Sequence, residues 1–250
     1  MESGKVETTI NNNIAEVSFF HPKGNSLNSI ILKELAITFK ALSVNAEIKV
    51  IVLRSNGDGA FCGGASISEM LTIKDYKSAE NYFNCFSDLL QSMISCPKFI
   101  LARVHGKVVG GGIGLISACD YVIASLTSEV RLSELAIGIG PFVISPAVAK
   151  RIGNSAFKSL TINYDWHTAN WALSKSLFDE ICKTRSELDE AINQLAQKMT
   201  LGNSEAIVEM KKIFWNDSEQ IFVQLKERAH LSAKLLLSEF TQNHLKKYLK

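Results

Sequence analysis

The sequence predicts an α/β core with largely parallel strand pairing, followed by a helical region. Three observations carry this. Apolar, β-branched runs alternate with stretches of helical spacing across residues 28–124, the pattern of βαβ crossovers. Two Gly-rich clusters, in residues 61–67 and 108–115, each close an apolar run and lead into helical spacing. After Gly140 helical periodicity takes over, and no glycine follows Gly202.

Taken in order, residues 4–10 and 13–20 read as two strands joined at Asn11-Asn12-Asn13, a hairpin signal. Residues 21–26, His-Pro-Lys-Gly-Asn-Ser, form a turn. Residues 28–44 show helical spacing through Ile31, Leu35, Phe39 and Leu42. Residues 49–55 contain Val-Ile-Val-Leu, the continuous apolar run of a strand buried on both faces. A helix over 75–95 stops before Pro97. Residues 99–104 are a second buried strand, 112–119 a short helix and 121–124 a further strand. Helices are then expected at 146–160, 168–175, 186–200, 204–215 and 217–238.

The chain has 250 residues, 46% hydrophobic and 21% charged, enough length to bury a core in one main domain. A net charge of +2 does not point to nucleic acid. Lys246, Lys247 and Lys250 make a mildly basic end, read as a solvated helix end. Residues 1–20 lack a basic start followed by a long apolar run, and no stretch is long enough to span a bilayer, so a cytoplasmic protein without membrane partners is expected. Cys62, Cys85, Cys96, Cys119 and Cys182 are odd in number and show no C-x-x-C spacing. Free buried thiols are expected, with neither disulfides nor a metal site.

Common Gly motifs fail on inspection. Gly106 and Gly111 have phosphate-loop spacing, but Gly112 stands where lysine is required. Gly110 and Gly112 are followed by Leu115 where a dinucleotide fingerprint needs glycine. No G-x-S-x-G elbow occurs. His105 follows a buried strand and reads as a packed histidine. What remains is two turns that can present backbone N–H groups to a developing negative charge, plus one carboxylate, Glu134, in the mainly apolar segment Arg131-Leu132-Ser133-Glu134-Leu135. Desolvation there raises a carboxyl pKa towards values useful for proton transfer. The combination suits enolate chemistry on a carbonyl compound.

At these residues the chain resembles the crotonase (enoyl-CoA hydratase/isomerase) superfamily. The resemblance rests on residues 21–28, on Ala60-Phe61-Cys62-Gly63-Gly64-Ala65, and on His105-Gly106 with Gly110-Gly111-Gly112 and Cys119-Asp120. Residues 134–138 and Trp171-Ala172 with Phe178-Asp179-Glu180 complete it, over roughly residues 6 to 215. It implies a spiral of ββα turns over residues 1–190 that holds the acyl-CoA site. It also implies a C-terminal helical trimerisation region over 191–250, in a homotrimer or dimer of trimers. The substrate would be an acyl-CoA thioester, with coenzyme A part of the substrate and no separate cofactor.

By position, Ala65 and Gly111 match the two family residues whose N–H groups hold the thioester oxygen. Glu134 matches the second of two family glutamates. The first would fall at Gly114, which leaves space for an acyl chain, and Ser66 stands where many members have Asp. Residues 141–146, Pro-Phe-Val-Ile-Ser-Pro, look like the P-x-V-I-S-P segment of bacterial methylglutaconyl-CoA hydratase-like members, which makes Pro141 a substrate-binding candidate. Lys23, Ser66 and Ile67 would flank the nucleotide end of coenzyme A. Phe240 and the C-terminal lysines are candidates to reach that site across a subunit contact, and Glu69 is a candidate substitute for the missing carboxylate, set against an ordinary exposed helix residue.

Three functions follow from the resemblance: hydration of an enoyl-CoA, of branched or glutaconyl type, as in fatty acid metabolism; isomerisation by Glu134 alone; or acyl-CoA binding without catalysis. Retention of both Gly clusters and of Glu134 argues against the last.

Overall fold

In the computed structural model, which describes residues 4–249, the first two runs form β1 (Lys5–Asn11) and β2 (Ile14–Phe20). They pair antiparallel, with Asn11 opposite Ile14. Asn12 and Asn13 between them have φ of 50° and 63°, the twist of a two-residue hairpin turn, which asparagine tolerates. Lys250 of the basic end lies outside the described residues.

Next comes α1 (Ser29–Val44), begun where the Asn28 side chain accepts from the Ile31 N–H at 2.8 Å. It is followed by β3 (Val50–Ser55), a single turn α2 (Ile67–Met70), α3 (Tyr76–Ile94) and β4 (Phe99–Val104). Then come β5 (Val108–Val109), α4 (Gly111–Ser117), β6 (Tyr121–Ser125) and β7 (Glu129–Arg131). A 3-10 turn (Leu135–Ile137), α5 (Ser145–Ile162), β8 (His167–Thr168), α6 (Ala169–Ser174) and β9 (Glu180–Cys182) lead to α7 (Arg185–Thr200), α8 (Ser204–Phe214), α9 (Ser218–Leu236) and α10 (Glu239–Leu245).

The main sheet has the order β1-β2-β3-β4-β6-β9, and every pair except β1–β2 is parallel. Ile51 and Leu53 face the larger core. Val50, Val52, Leu101 and Ile123 face the other way, where Leu188, Ile192 and Ala196 of α7 cover them. Cover on both faces explains the unbroken apolar runs of β3 and β4.

A second, smaller sheet has the order β5-β7-β8. Isolated parallel bridges extend it, Cys62 to Val108 on one side and Leu27 to Ala65 beyond. This sheet collects the chemistry, because Ala65, Gly111 and Glu134 all lie at or just past its short strands.

Two expectations are corrected. The stretch after Gly140 is not purely helical: β8 and β9 lie within it, and β9 completes the main sheet with Ile123 opposite Glu180. Strands of two or three residues carry no period and exist only through their partners. Helix α5 is broken at Gly153, whose φ is 75°. Of the apolar positions in the C-terminal helices, Leu188, Ile192, Ile221 and Leu225 are buried within this chain, while Ile213 and Phe214 remain exposed. Among the described residues no helix is long and apolar enough to cross a membrane. All five cysteines are free and buried.

Helix α8 is fixed by an ion pair at the edge of α4. Lys211 Nζ donates to both Asp120 oxygens at 2.9 and 2.8 Å, with side chains only 3% and 6% exposed. Asp120 Oδ2 also accepts from the Ile100 N–H at 2.8 Å. Burial pushes the Asp120 carboxyl up from its usual range, and Lys211 opposes this. Lys211→Met strands that carboxylate, and breaking such a pair costs about 3–5 kcal/mol. Urea denaturation of the variant should show a loss of that order; a loss under about 1 kcal/mol would mean that the pair does not hold α8.

Candidate active site

The first candidate donor, Ala65, is oriented by the bridge to Leu27. The Leu27 N–H donates to Gly64 O at 2.7 Å and the Ser66 N–H donates to Leu27 O at 3.0 Å. Both neighbours of Ala65 are thus spent on that strand, and the pleat turns the Ala65 N–H to the opposite side. Gly111 is the first residue of α4, where the backbone N–H has no intrahelical acceptor. Among the described residues neither N–H has a hydrogen-bond partner.

Gly110 makes the junction possible. Its N–H closes the second sheet onto Arg131 O at 3.0 Å, and its φ of 50° with ψ of −115° turns the chain directly from β5 into α4. A Cβ there would lie 2.6 Å from Glu134 Oε1. The glycine therefore lets the carboxylate approach the backbone.

Glu134 follows β7 by three residues and opens the 3-10 turn, its own carbonyl accepting from Ile137 and Ile139 at 3.2 and 2.9 Å. The residue as a whole is half-buried, but Oε2 is sealed from solvent and has no hydrogen-bond partner. Burial raises the Glu134 carboxyl to a pKa of about 7, with backbone N–H groups of Glu134 and Ser133 opposing the rise. A carboxyl titrating near neutrality can both take and return a proton.

Ala65, Gly111 and Glu134 line one cavity of about 40 Å³. Its remaining wall comes from Met70, from Phe83 and Phe86 of α3, from the loop before α5 and from Ser232 of α9. Phe86 closes over the donor turn, since a Cβ on Gly111 would meet its Cε1 at 2.5 Å. Pro141 joins this cavity as a lining residue.

Gly114 does not join it. Its open face is taken by Ile144, whose Cγ2 would lie 2.5 Å from an added Cβ. The expectation that this glycine leaves space for an acyl chain is therefore corrected: α4 uses Gly114 to pack against the start of α5, and a glutamate there has no room.

Lys23 and Ser66 line a separate cleft of about 310 Å³ with His21, Pro22, Ser29 and Glu69. Its lining residue Ser66 is the sequence neighbour of Ala65, which lines the smaller cavity. Ser66 caps α2, its Oγ accepting from the Glu69 N–H at 3.3 Å, while its own N–H is held by Leu27 O and the Tyr82 hydroxyl at 2.9 Å. Ile67 packs half-buried against the core and lines neither space. Glu69 is neither a substitute catalytic group nor simply exposed, because Oε2 accepts from the Ser29 N–H at 2.8 Å in the first turn of α1, a favourable place for an anion.

Phe240 lies on its own chain's site loop, its ring against Gly138 and stacked with His244 at 4.0 Å. Next to it, Thr241 Oγ1 donates to Gly138 O at 3.0 Å. So α10 braces the turn that carries Glu134. His105 is buried against Phe61, and burial with nearby arginines holds its pKa down to about 4, so it is a packed neutral ring.

The sequence reading missed Phe86, Ile144 and Ser232. Phe86 and Ser232 come from helices α3 and α9 and Ile144 from the residue just before α5, and a buried apolar or small residue carries no signal of which cavity it will wall.

The family model described as enoyl-CoA hydratase/isomerase matches residues 9–250. A probable enoyl-CoA hydratase of Bacillus subtilis is 25% identical over 205 residues, 82% of this chain and 79% of that protein. A short-chain-enoyl-CoA hydratase of Clostridium acetobutylicum is 26% identical over 215 residues, 85% of this chain and 81% of that protein. Among solved structures, an enoyl-CoA hydratase from Bacillus halodurans superposes with a TM-score of 0.91 at 22% identity, covering 97% of this chain and 99% of its own.

Proposed function

The chain belongs to the enoyl-CoA hydratase/isomerase family, and from that premise we propose that it hydrates a short, uncharged enoyl-CoA thioester. The observation that carries this reading is one cavity lined by Ala65 and Gly111, whose backbone N–H groups have no hydrogen-bond partner among the described residues, and by Glu134, whose carboxyl has a pKa of about 7. Ala65 and Gly111 hold the thioester oxygen. Glu134 in its ionised form takes a proton from water as the water oxygen bonds to Cβ. The π electrons move onto the thioester oxygen as an enolate, which the two N–H donors stabilise. Cα then takes the proton from Glu134, and the carboxylate is regenerated. A purely acyl-CoA-binding protein has no use for such a carboxyl beside two such donors.

Substrate size follows from the walls. The cavity holds about 40 Å³, with Phe86 over Gly111 and Ile144 over Gly114, which suits a short acyl chain and disfavours a branched one. A glutaconyl-type substrate would bring a second carboxylate into a space whose lone ionisable side chain is Glu134, a like-charge contact in a desolvated site. The similarity to a hydratase named for short-chain substrates agrees with this reading. The neighbouring cleft with Lys23 would take the nucleotide end of coenzyme A, which is part of the substrate.

Isomerisation by the same carboxyl is the second reading, favoured by the absence of a side chain at Gly114. A trimer is proposed on the apolar side chains left exposed on α8 and α9, including Ile213, Phe214 and Val223.

The test is a panel of enoyl-CoA thioesters followed by loss of conjugated absorbance and by double-bond migration. Crotonyl-CoA should be hydrated with higher kcat/KM than 3-methylglutaconyl-CoA or a long-chain enoyl-CoA. Preference for the branched diacid would overturn the size and charge argument. Double-bond migration without hydration would replace the hydratase reading by the isomerase one.

A further inference from the structure

Hydration through one carboxyl raises the question of what else holds the water. Of the described residues lining the cavity, only Glu134 and Ser232 have polar side chains. Ser232 sits on α9, which lies along α3, and it is 1% exposed. Its hydroxyl donates back to Arg228 O, one turn earlier, at a long 3.2 Å. With the proton so placed, the oxygen lone pairs stay available as an acceptor. Glu134 lines the same cavity, and its Oε2 is buried and without a hydrogen-bond partner.

A water molecule needs about 10–15 Å³ and two to four polar contacts to be held in a protein interior. The cavity offers about 40 Å³ and these two acceptors. We propose that Ser232 is a water-positioning residue. It accepts one O–H of the attacking water while Glu134 accepts the other, which leaves a water lone pair directed at Cβ of the thioester. Ser232 thereby supplies, from the far end of the chain, the second anchor that the glycine at position 114 does not. The role rests on the hydratase reading above, and it separates the two activities. Addition of water needs both anchors, whereas proton transfer between Cα and Cγ needs Glu134 alone.

The experiment compares wild type with Ser232→Ala, a substitution that suits a helix interior. Crotonyl-CoA hydration is measured beside deuterium uptake from heavy water into a 3-enoyl-CoA, which reports proton transfer by Glu134. We expect kcat for hydration to fall about tenfold, the loss of one hydrogen bond to the reacting water, with KM and the exchange rate unchanged. Ser232→Cys, which keeps a weak acceptor of similar size, should recover part of the hydration rate. Equal loss of hydration and exchange would make Ser232 merely structural, and unchanged hydration would remove it from the reaction. Either result leaves the hydratase reading standing. If wild type exchanges deuterium but hydrates nothing, the hydratase reading falls first and this role with it.

Discussion

Glu134→Gln is expected to abolish turnover, with hydration falling by at least about 10²–10⁴, the contribution of a positioned acid/base group. Glutamine keeps the shape of the side chain and its place beside Gly110 but cannot exchange a proton, so thioester binding should survive. The wild-type pH profile should show the same group. Hydration needs the ionised carboxylate, so kcat/KM should rise with pH through about 7, where burial has placed this carboxyl.

Stability carries an independent reading of that shift. The folded pKa of about 7 lies above the ordinary glutamate value of 4.5, so between these values the folded state holds a proton that the unfolded chain has released. Stability therefore falls as pH rises across that window and levels off above it. Glutamine does not titrate, so Glu134→Gln should raise Tm relative to wild type more at pH 8 than at pH 4.5. A variant with near wild-type rate would take Glu134 out of the mechanism. A Tm difference independent of pH would mean that its carboxyl is not held up by burial.

Gly111→Pro should cost about 10²–10³ in kcat, the value of one oxyanion donor. Position 111 is the first residue of α4, where proline is well tolerated because its missing N–H has no intrahelical acceptor. The ring does bring a Cβ, which would sit 2.5 Å from Phe86 Cε1. Gly111→Ala brings the same Cβ and keeps the N–H, so it measures the steric part alone. The proline variant should be at least tenfold slower than the alanine variant while their circular dichroism spectra match. Equal rates in the two would place the thioester oxygen elsewhere.

Much of the core was legible in the sequence. The hairpin at Asn12 and Asn13, helices α1 and α3, and strands β3 and β4 all show strong local patterns that burial then confirms. The two Gly clusters were visible as turns, and Glu134 as a carboxyl in an apolar segment. Their meeting in one cavity was implied by family resemblance and is explained by the second sheet, whose two- and three-residue strands have no periodicity to read. Gly114 shows the limit of local reasoning: a missing side chain looks like open space until Ile144, thirty residues later, is found to fill it.

What the sequence by itself determined was local: the apolar runs, the helix periods, the backbone turns that glycine permits, and the residue types available for chemistry. The tertiary structure alone decided which of these share a site and how much room they leave. Parallel strands place their following loops at the same end of a sheet, so Ala65, Gly111 and Glu134 converge across many residues of chain. Burial then raises the Glu134 carboxyl, and helices α3 and α9 with the loop before α5 set the volume around it. Ser232 enters the same cavity from a helix whose own pattern shows only that this face is buried. Such properties depend on distances between segments remote in sequence, and no local pattern encodes them.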